Sequence, residues 1–132
     1  MHYVHLLCYT LARSASTESP SKTGTVTTKE TVAYIKENFS SDITLSALAR
    51  RCAVSPEHLS RVFKRDTGFG ISEYISILRL QHAQTLLMTA RTLSVVEVAS
   101  RCGFNDSNYF SLKFKKMYGI SPLKFRETHK NN

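Results

Sequence analysis

The sequence has no tryptophan and only three prolines, five glycines and three cysteines in 132 residues. So little proline and glycine argues against a turn-rich sandwich and favours helices. Cys8, Cys52 and Cys102 form no CxxC pair and have no histidine at ligand spacing, so neither a metal site nor a cofactor is expected. Nor do they suggest a disulfide. Cys52 and Cys102 fall at matching points of two similar segments, in separate cores, as the small buried thiols of a reducing cytoplasm. No apolar run is long enough to span a bilayer, and "MHYVHLLCYTLARSAS" lacks the basic n-region of a signal peptide, so no membrane partner is expected. Signs of catalysis are missing as well. His58 and His82 have no carboxylate or cysteine partner at catalytic spacing, and "SKTGTVT" departs from the P-loop pattern, so the chain does not read as an enzyme.

Acidic residues are also few, 10 against 18 Lys plus Arg, for a formal charge of +8. Residues 1–43 hold four of each sign, so the whole excess falls in residues 44–132, with fourteen basic and six acidic side chains. A localised basic excess points to a polyanionic partner, although a solvated surface that keeps the chain soluble would look the same by charge alone.

Along the chain, residues 1–28 read as an N-terminal remnant followed by a flexible linker, the Ser/Thr-rich "SASTESPSKTGTVTT" of Ser14 to Thr28. The apolar run at the start suits the tail of a connecting helix, which makes the chain a fragment of a longer protein or a naturally short one. From Lys29, Val32, Ile35 and Phe39 form one stripe of an amphipathic helix. Thr44 is placed to cap a short helix, Leu45 to Cys52. A turn at Ala53 and Val54 leads to a second helix opened by Ser55, Pro56 and Glu57 and stopped by Gly68. This pair forms a helix-turn-helix over about residues 45–68. A longer helix follows, from about Ser72 to Met88.

The unit then recurs over about residues 95–119. Ser94 and Glu97 form a capping box, Gly103 makes the turn, and a helix from about Asp106 to Tyr118 ends at Gly119. Ala49, Arg51 and Cys52 match Ala99, Arg101 and Cys102 at an offset of 50, while Ser60, Phe63, Lys64 and Gly68 match Ser111, Phe114, Lys115 and Gly119 at 51. Ser121 and Pro122 start a last short helix. The predicted fold is therefore all-α, with about seven helices in a domain of residues 29–132: two helix-turn-helix subdomains joined by a long linker helix. Two copies are too few for a solenoid.

In the second helix of each unit the aromatic and aliphatic residues face inward, leaving an outer stripe. That stripe is Glu57, Ser60, Arg61 and Lys64 in the first unit, and Asn108, Ser111, Leu112 and Lys115 in the second. A polar helix that begins at a sharp turn is the arrangement that enters a DNA major groove. Three other readings remain at this level: an ordinary solvated face, a basic helical protein binding nucleic acid without sequence preference, and a helix-in-groove protein partner.

"LARRCAVSPEHLSRVFKRDTG", then "ISEYI", then "EVASRCGFNDSNYFSLKFKKMYGISPLKF" resembles the C-terminal DNA-binding domain of AraC-type (AraC/XylS) bacterial transcription regulators. The resemblance runs from about Lys29 to Phe125. It implies seven helices, with the linker helix holding two recognition helices toward successive major grooves of double-stranded DNA. It also implies transcriptional control, most often activation through contact with RNA polymerase, and an effector or dimerising domain outside this chain. By position, base reading falls to Glu57, Ser60 and Arg61 in the first unit and to Ser107, Asn108 and Leu112 in the second. Arg61 suits guanine and Asn108 adenine. Lys64, Lys115, Lys113, Ser55, His58, Tyr109 and Ser111 are the expected backbone contacts, with packing the alternative for His58 and Tyr109.

Three positions depart from a simple duplication. Leu112 stands where the first copy has Arg61, which suits a thymine methyl or a helix reading fewer bases. Lys113 replaces Val62 and is expected to snorkel outward. Ala53 stands where the second copy has Gly103, and a left-handed backbone there would cost about 1 to 2 kcal/mol.

Overall fold

The computed structural model describes residues 22–129. Among these residues there are seven helices and no strand: α1 (Lys22–Asn38), α2 (Leu45–Arg51), α3 (Pro56–Thr67), α4 (Ile71–Thr89), α5 (Val95–Arg101), α6 (Ser107–Tyr118) and α7 (Pro122–Thr128). The all-α expectation is met, with one helix-turn-helix in α2–α3, a second in α5–α6, and α4 between them. Residues 1–21, including Cys8 and the apolar start, lie outside the described residues.

Helix starts follow the capping residues. The Ser55 hydroxyl accepts from the His58 N–H at 3.1 Å, and the Thr44 hydroxyl accepts from Ala47 at the same distance. Ser94 and Glu97 bond reciprocally, at 2.9 and 3.1 Å. Both recognition-helix candidates stop at a left-handed glycine, Gly68 (φ 82°) and Gly119 (φ 87°).

The two sharp turns are the same motif. In the first, the Val54 N–H donates to the Ala49 carbonyl at 3.0 Å and Ala53 donates to Arg50 at 3.2 Å; in the second, Phe104 donates to Ala99 at 2.9 Å and Gly103 to Ser100 at 3.1 Å. These paired bonds make a Schellman ending, which needs a left-handed residue after the cap. Gly103 meets that need without strain at φ 99°, whereas Ala53 adopts φ 57° with a Cβ in place.

α1 begins at Lys22, ahead of the expected Lys29, so the end of the Ser/Thr-rich segment is helix and not linker. Thr27, Thr28 and Thr31 are buried there. The Thr28 hydroxyl donates to Asp66 at 2.6 Å, tying the start of α1 to the end of α3, and Thr31 donates to the Thr27 carbonyl at 2.9 Å. Threonine can be buried when its hydroxyl is bonded, so packing against α3 outweighs a linker-like composition.

Two cores share α4. Ile35, Leu48, Leu59 and Phe63 join Ile71, Tyr74 and Ile75 in the first; Val98, Phe110, Phe114 and Phe125 join Leu80, Ala83 and Leu87 in the second. At about 100° per residue, the two sets on α4 are centred roughly 150° apart around its axis. The linker therefore presents nearly opposite faces to the two units, one near each end. An aromatic pair repeats with the fold: Phe63–Tyr74 and Phe114–Phe125 are both edge-to-face, at 5.3 and 5.5 Å.

An arginine clasp repeats as well. Arg126 on α7 donates to the carbonyls of Leu87 and Ala90, both at 3.2 Å, and of Leu93, around the C-terminal end of α4. Arg79 on α4 donates likewise to Phe39 and, at 2.9 Å, to Ser41, around the C-terminal end of α1. A guanidinium fork suits this place because the last carbonyls of a helix lack internal partners and carry the negative end of its dipole.

Candidate nucleic-acid interface

On α3, Leu59, Val62 and Phe63 are buried, and Glu57, Ser60, Arg61 and Lys64 are exposed. On α6, Phe110 and Phe114 are buried, Asn108, Leu112 and Lys115 are exposed, and Ser111 is half-buried. Within each helix the four outer residues span an arc of about 100°. The structure thus gathers the expected residues into two stripes, one per unit, at equivalent positions of the duplicated fold.

The remaining candidates flank those stripes. His58 and Tyr109 sit about 100° to one side of the first stripe residue, Lys113 lies farther along the same flank, and Ser107 is on the other. Ser55 is exposed at the N-cap of α3, its oxygen already accepting from His58 while its O–H can still donate. Tyr109 is 51% exposed and leans on Phe104, with ring centroids 6.3 Å apart. Lys113 is half-buried, and its Nζ lies 5.9 Å from the centre of the Tyr109 ring. Its ammonium therefore lies over a half-exposed ring, and the residue is less buried than Val62 in the other unit.

Two contacts at the site were not legible beforehand. His58 Nδ1 lies 3.2 Å from Arg61 Nη2, a geometry in which a neutral imidazole accepts from the guanidinium. His58 therefore restrains Arg61, a role beyond the choice between backbone contact and packing. The i, i+3 spacing was the available signal. On α6 the corresponding pair is Tyr109 and Leu112, which form no such bond, and Leu112 stands 70% exposed. The N-terminus of α6 is fixed by Asp106, whose carboxylate accepts from Asn108 at 2.8 Å and Tyr109 at 3.4 Å. That cap sets the direction in which Asn108 is presented.

Behind the site, the Glu97 carboxyl is held below the usual carboxylate range by its hydrogen bonds to the Ser94 backbone and hydroxyl. Burial pushes the Cys102 thiol up to about 12, which keeps it protonated in the core. Among the described residues no group of three or more His, Cys, Asp or Glu side chains is arranged to hold a metal ion, and no helix is long and apolar enough to cross a membrane.

Two side-chain-capped helix-turn-helix units on one central helix, each showing an exposed polar stripe, define the class: a double helix-turn-helix domain of the kind found in transcription regulators. The helix-turn-helix domain family matches residues 48–128. The Escherichia coli K12 HTH-type transcriptional regulator YijO is 41% identical over 96 residues, covering 73% of this chain and 34% of that protein. In three dimensions, the DNA-binding domain of AdpA, a global transcriptional factor solved with a target DNA, has a TM-score of 0.74 at 31% identity. It covers 79% of this chain and 93% of that one. A probable AraC family transcriptional regulator from Rhodopseudomonas palustris CGA009 has a TM-score of 0.72 at 26% identity over 78% and 96% of the two chains. The chain belongs to the AraC-type family of helix-turn-helix transcription regulators. It spans about a third of the length of curated relatives such as YijO.

Proposed function

We propose that this chain is the sequence-reading part of a longer bacterial transcription regulator, with α3 and α6 entering successive major grooves of double-stranded DNA. The observation that carries this reading is the pair of exposed stripes at equivalent positions of two units whose apolar faces are buried. In this reading Glu57, Ser60 and Arg61 contact base edges in one groove and Ser107, Asn108 and Leu112 in the next. Lys64, Lys115, Lys113, Ser55, His58, Tyr109 and Ser111 hold phosphates or sugars. Arg61 pairs with guanine O6 and N7, and the His58 contact reduces the rotamer freedom it must lose on binding. Leu112 meets a thymine methyl. Activation through RNA polymerase, action in the cytoplasm, and any dimerisation or effector control belong to the whole regulator.

Selection of bound duplexes from a random library, followed by titrations at several salt concentrations, tests the reading. Arg61→Ala is expected to relax preference at one base position, at about 1 to 3 kcal/mol of discrimination. Lys115→Ala should weaken all sequences alike and lower the salt slope by about one. No preference among sequences at any salt would leave only non-specific binding.

A further inference from the structure

The position of Arg79 has a consequence for how the two stripes are held relative to one another. The residue lies on α4 between the last contact to the first core and the first contact to the second. Its guanidinium donates to the Phe39 and Ser41 carbonyls of the first unit. It also lies 5.9 Å from the ring centre of Phe104 in the second unit, and Asp42 faces it from the first.

The sharp turn of the second unit completes the junction. A Cβ added to Gly103 would come within 2.9 Å of Arg79 Nε and of Ser40 Cα and O, so the glycine lets one unit's turn close against the other unit's loop. Its counterpart, Ala53, carries a Cβ and is exposed. The first turn therefore has no such neighbour. Arg126 makes the equivalent clasp within the second unit, and its bonds reach only α4 and the loop after it. Of the two clasps, the one at Arg79 is the one that touches both units.

We propose that Arg79, with Gly103 and the loop at Ser40, forms a latch that fixes the rotation of one helix-turn-helix unit against the other, making Arg79 a positioning residue for binding both grooves at once. The inference rests on the DNA reading above. Two sites on a rigid frame reach their second groove at a high effective concentration, and freedom at the junction dilutes it. The latch thus acts on joint binding and on tolerance to spacing, while each unit's own base contacts stay as they are.

The test uses the duplex selected by the wild-type chain, the same duplex with either half scrambled, and versions with base pairs inserted between the halves. Arg79→Ala is expected to lose about tenfold in affinity for the intact duplex and to change less than twofold on each half-scrambled one. The sharp fall in wild-type affinity on inserting about five base pairs, half a helical turn, should flatten in the variant. Arg126→Ala serves as the matched control: it removes a carbonyl clasp within one unit, lowers thermal stability, and leaves the spacing profile at the wild-type shape. If Arg79→Ala melts below the assay temperature, Arg79→Lys replaces it, since an ammonium keeps the charge without the two-carbonyl fork. Equal losses on intact and half-scrambled duplexes, or a spacing profile as sharp as wild type, overturn the latch and leave the DNA reading standing. A wild-type chain that binds selected and random duplexes alike overturns the DNA reading, and the latch with it.

Discussion

Ala53→Gly is expected to stabilise the protein, against the usual direction for a glycine introduced beside a helix. Ala53 has φ 57° and is exposed in the Schellman turn between α2 and α3. Relief of the left-handed strain on an L-residue is worth about 1 to 2 kcal/mol. Against that, the greater freedom of glycine in the unfolded chain costs about 0.4 to 1 kcal/mol. The methyl is exposed, so its removal leaves no cavity. The net gain is about 0.5 to 1 kcal/mol, which for a domain of about 100 residues raises the melting temperature by about 2 to 8 °C. Far-UV circular dichroism melts of wild type and variant at matched concentration read it directly. The reverse substitution, Gly103→Ala, is expected to lower the midpoint by more than Ala53→Gly raises it, because it adds the strain of φ 99° and the 2.9 Å approaches to Ser40 and Arg79. A lower midpoint for Ala53→Gly would refute the reasoning, since it would mean that the methyl packs or that the backbone is not left-handed at this turn.

Three further outcomes follow from the same structure. Leu112→Ala should change stability by less than about 0.5 kcal/mol, because the side chain is 70% exposed, and should erase a thymine preference at one position of the selected site; an unchanged selection would remove Leu112 from the reading face. Glu97 has a folded-state pKa below its unfolded one, so its capping contribution is fully present above the unfolded carboxylate value of about 4.3 and is lost as pH falls through the lower folded value. The stability difference between wild type and Glu97→Ala, measured by denaturant titration at several pH values, should therefore be constant near neutrality and shrink only in acid; a difference already shrinking near pH 7 would contradict the assignment. An alkylating reagent at mildly alkaline pH should modify Cys52, which is half-buried, well before Cys102, which is buried with its thiol pushed up to about 12; mass spectrometry of timed samples reads the order, and equal rates would show that the second core opens readily.

Local chemistry made most of the fold legible. Ser55 with Pro56, Ser94 with Glu97, and the stopping glycines Gly68 and Gly119 each act within a few residues, so their consequences can be read along the chain. The aromatic spacing of Phe110 and Phe114 marked the buried face of α6 for the same reason, and with it the outer stripe. Features set by distant partners were not legible. The early start of α1 depends on Thr28 reaching Asp66, and the clasps depend on Arg79 and Arg126 reaching carbonyls more than thirty positions away. Arg79 stands between the apolar Leu78 and Leu80, but its partners could be named only once the helices were packed.

The two copies have matching cores and carry different surfaces, and the difference has a mechanical logic. The edge-to-face pairs Phe63–Tyr74 and Phe114–Phe125 and the doubled Schellman turns fix the same helix-turn-helix geometry twice. On the outer stripe a residue can change without disturbing that geometry, so Arg61 in one unit and Leu112 in the other present different chemistry from equivalent places. At the turn the constraint runs the other way. Ala53 faces solvent and tolerates a side chain at the expense of strain, while Gly103 meets the neighbouring unit and has no room for one. Variation on the stripes is therefore expected to alter which sequence is read, and variation at the Gly103 junction to alter how the two readings are combined.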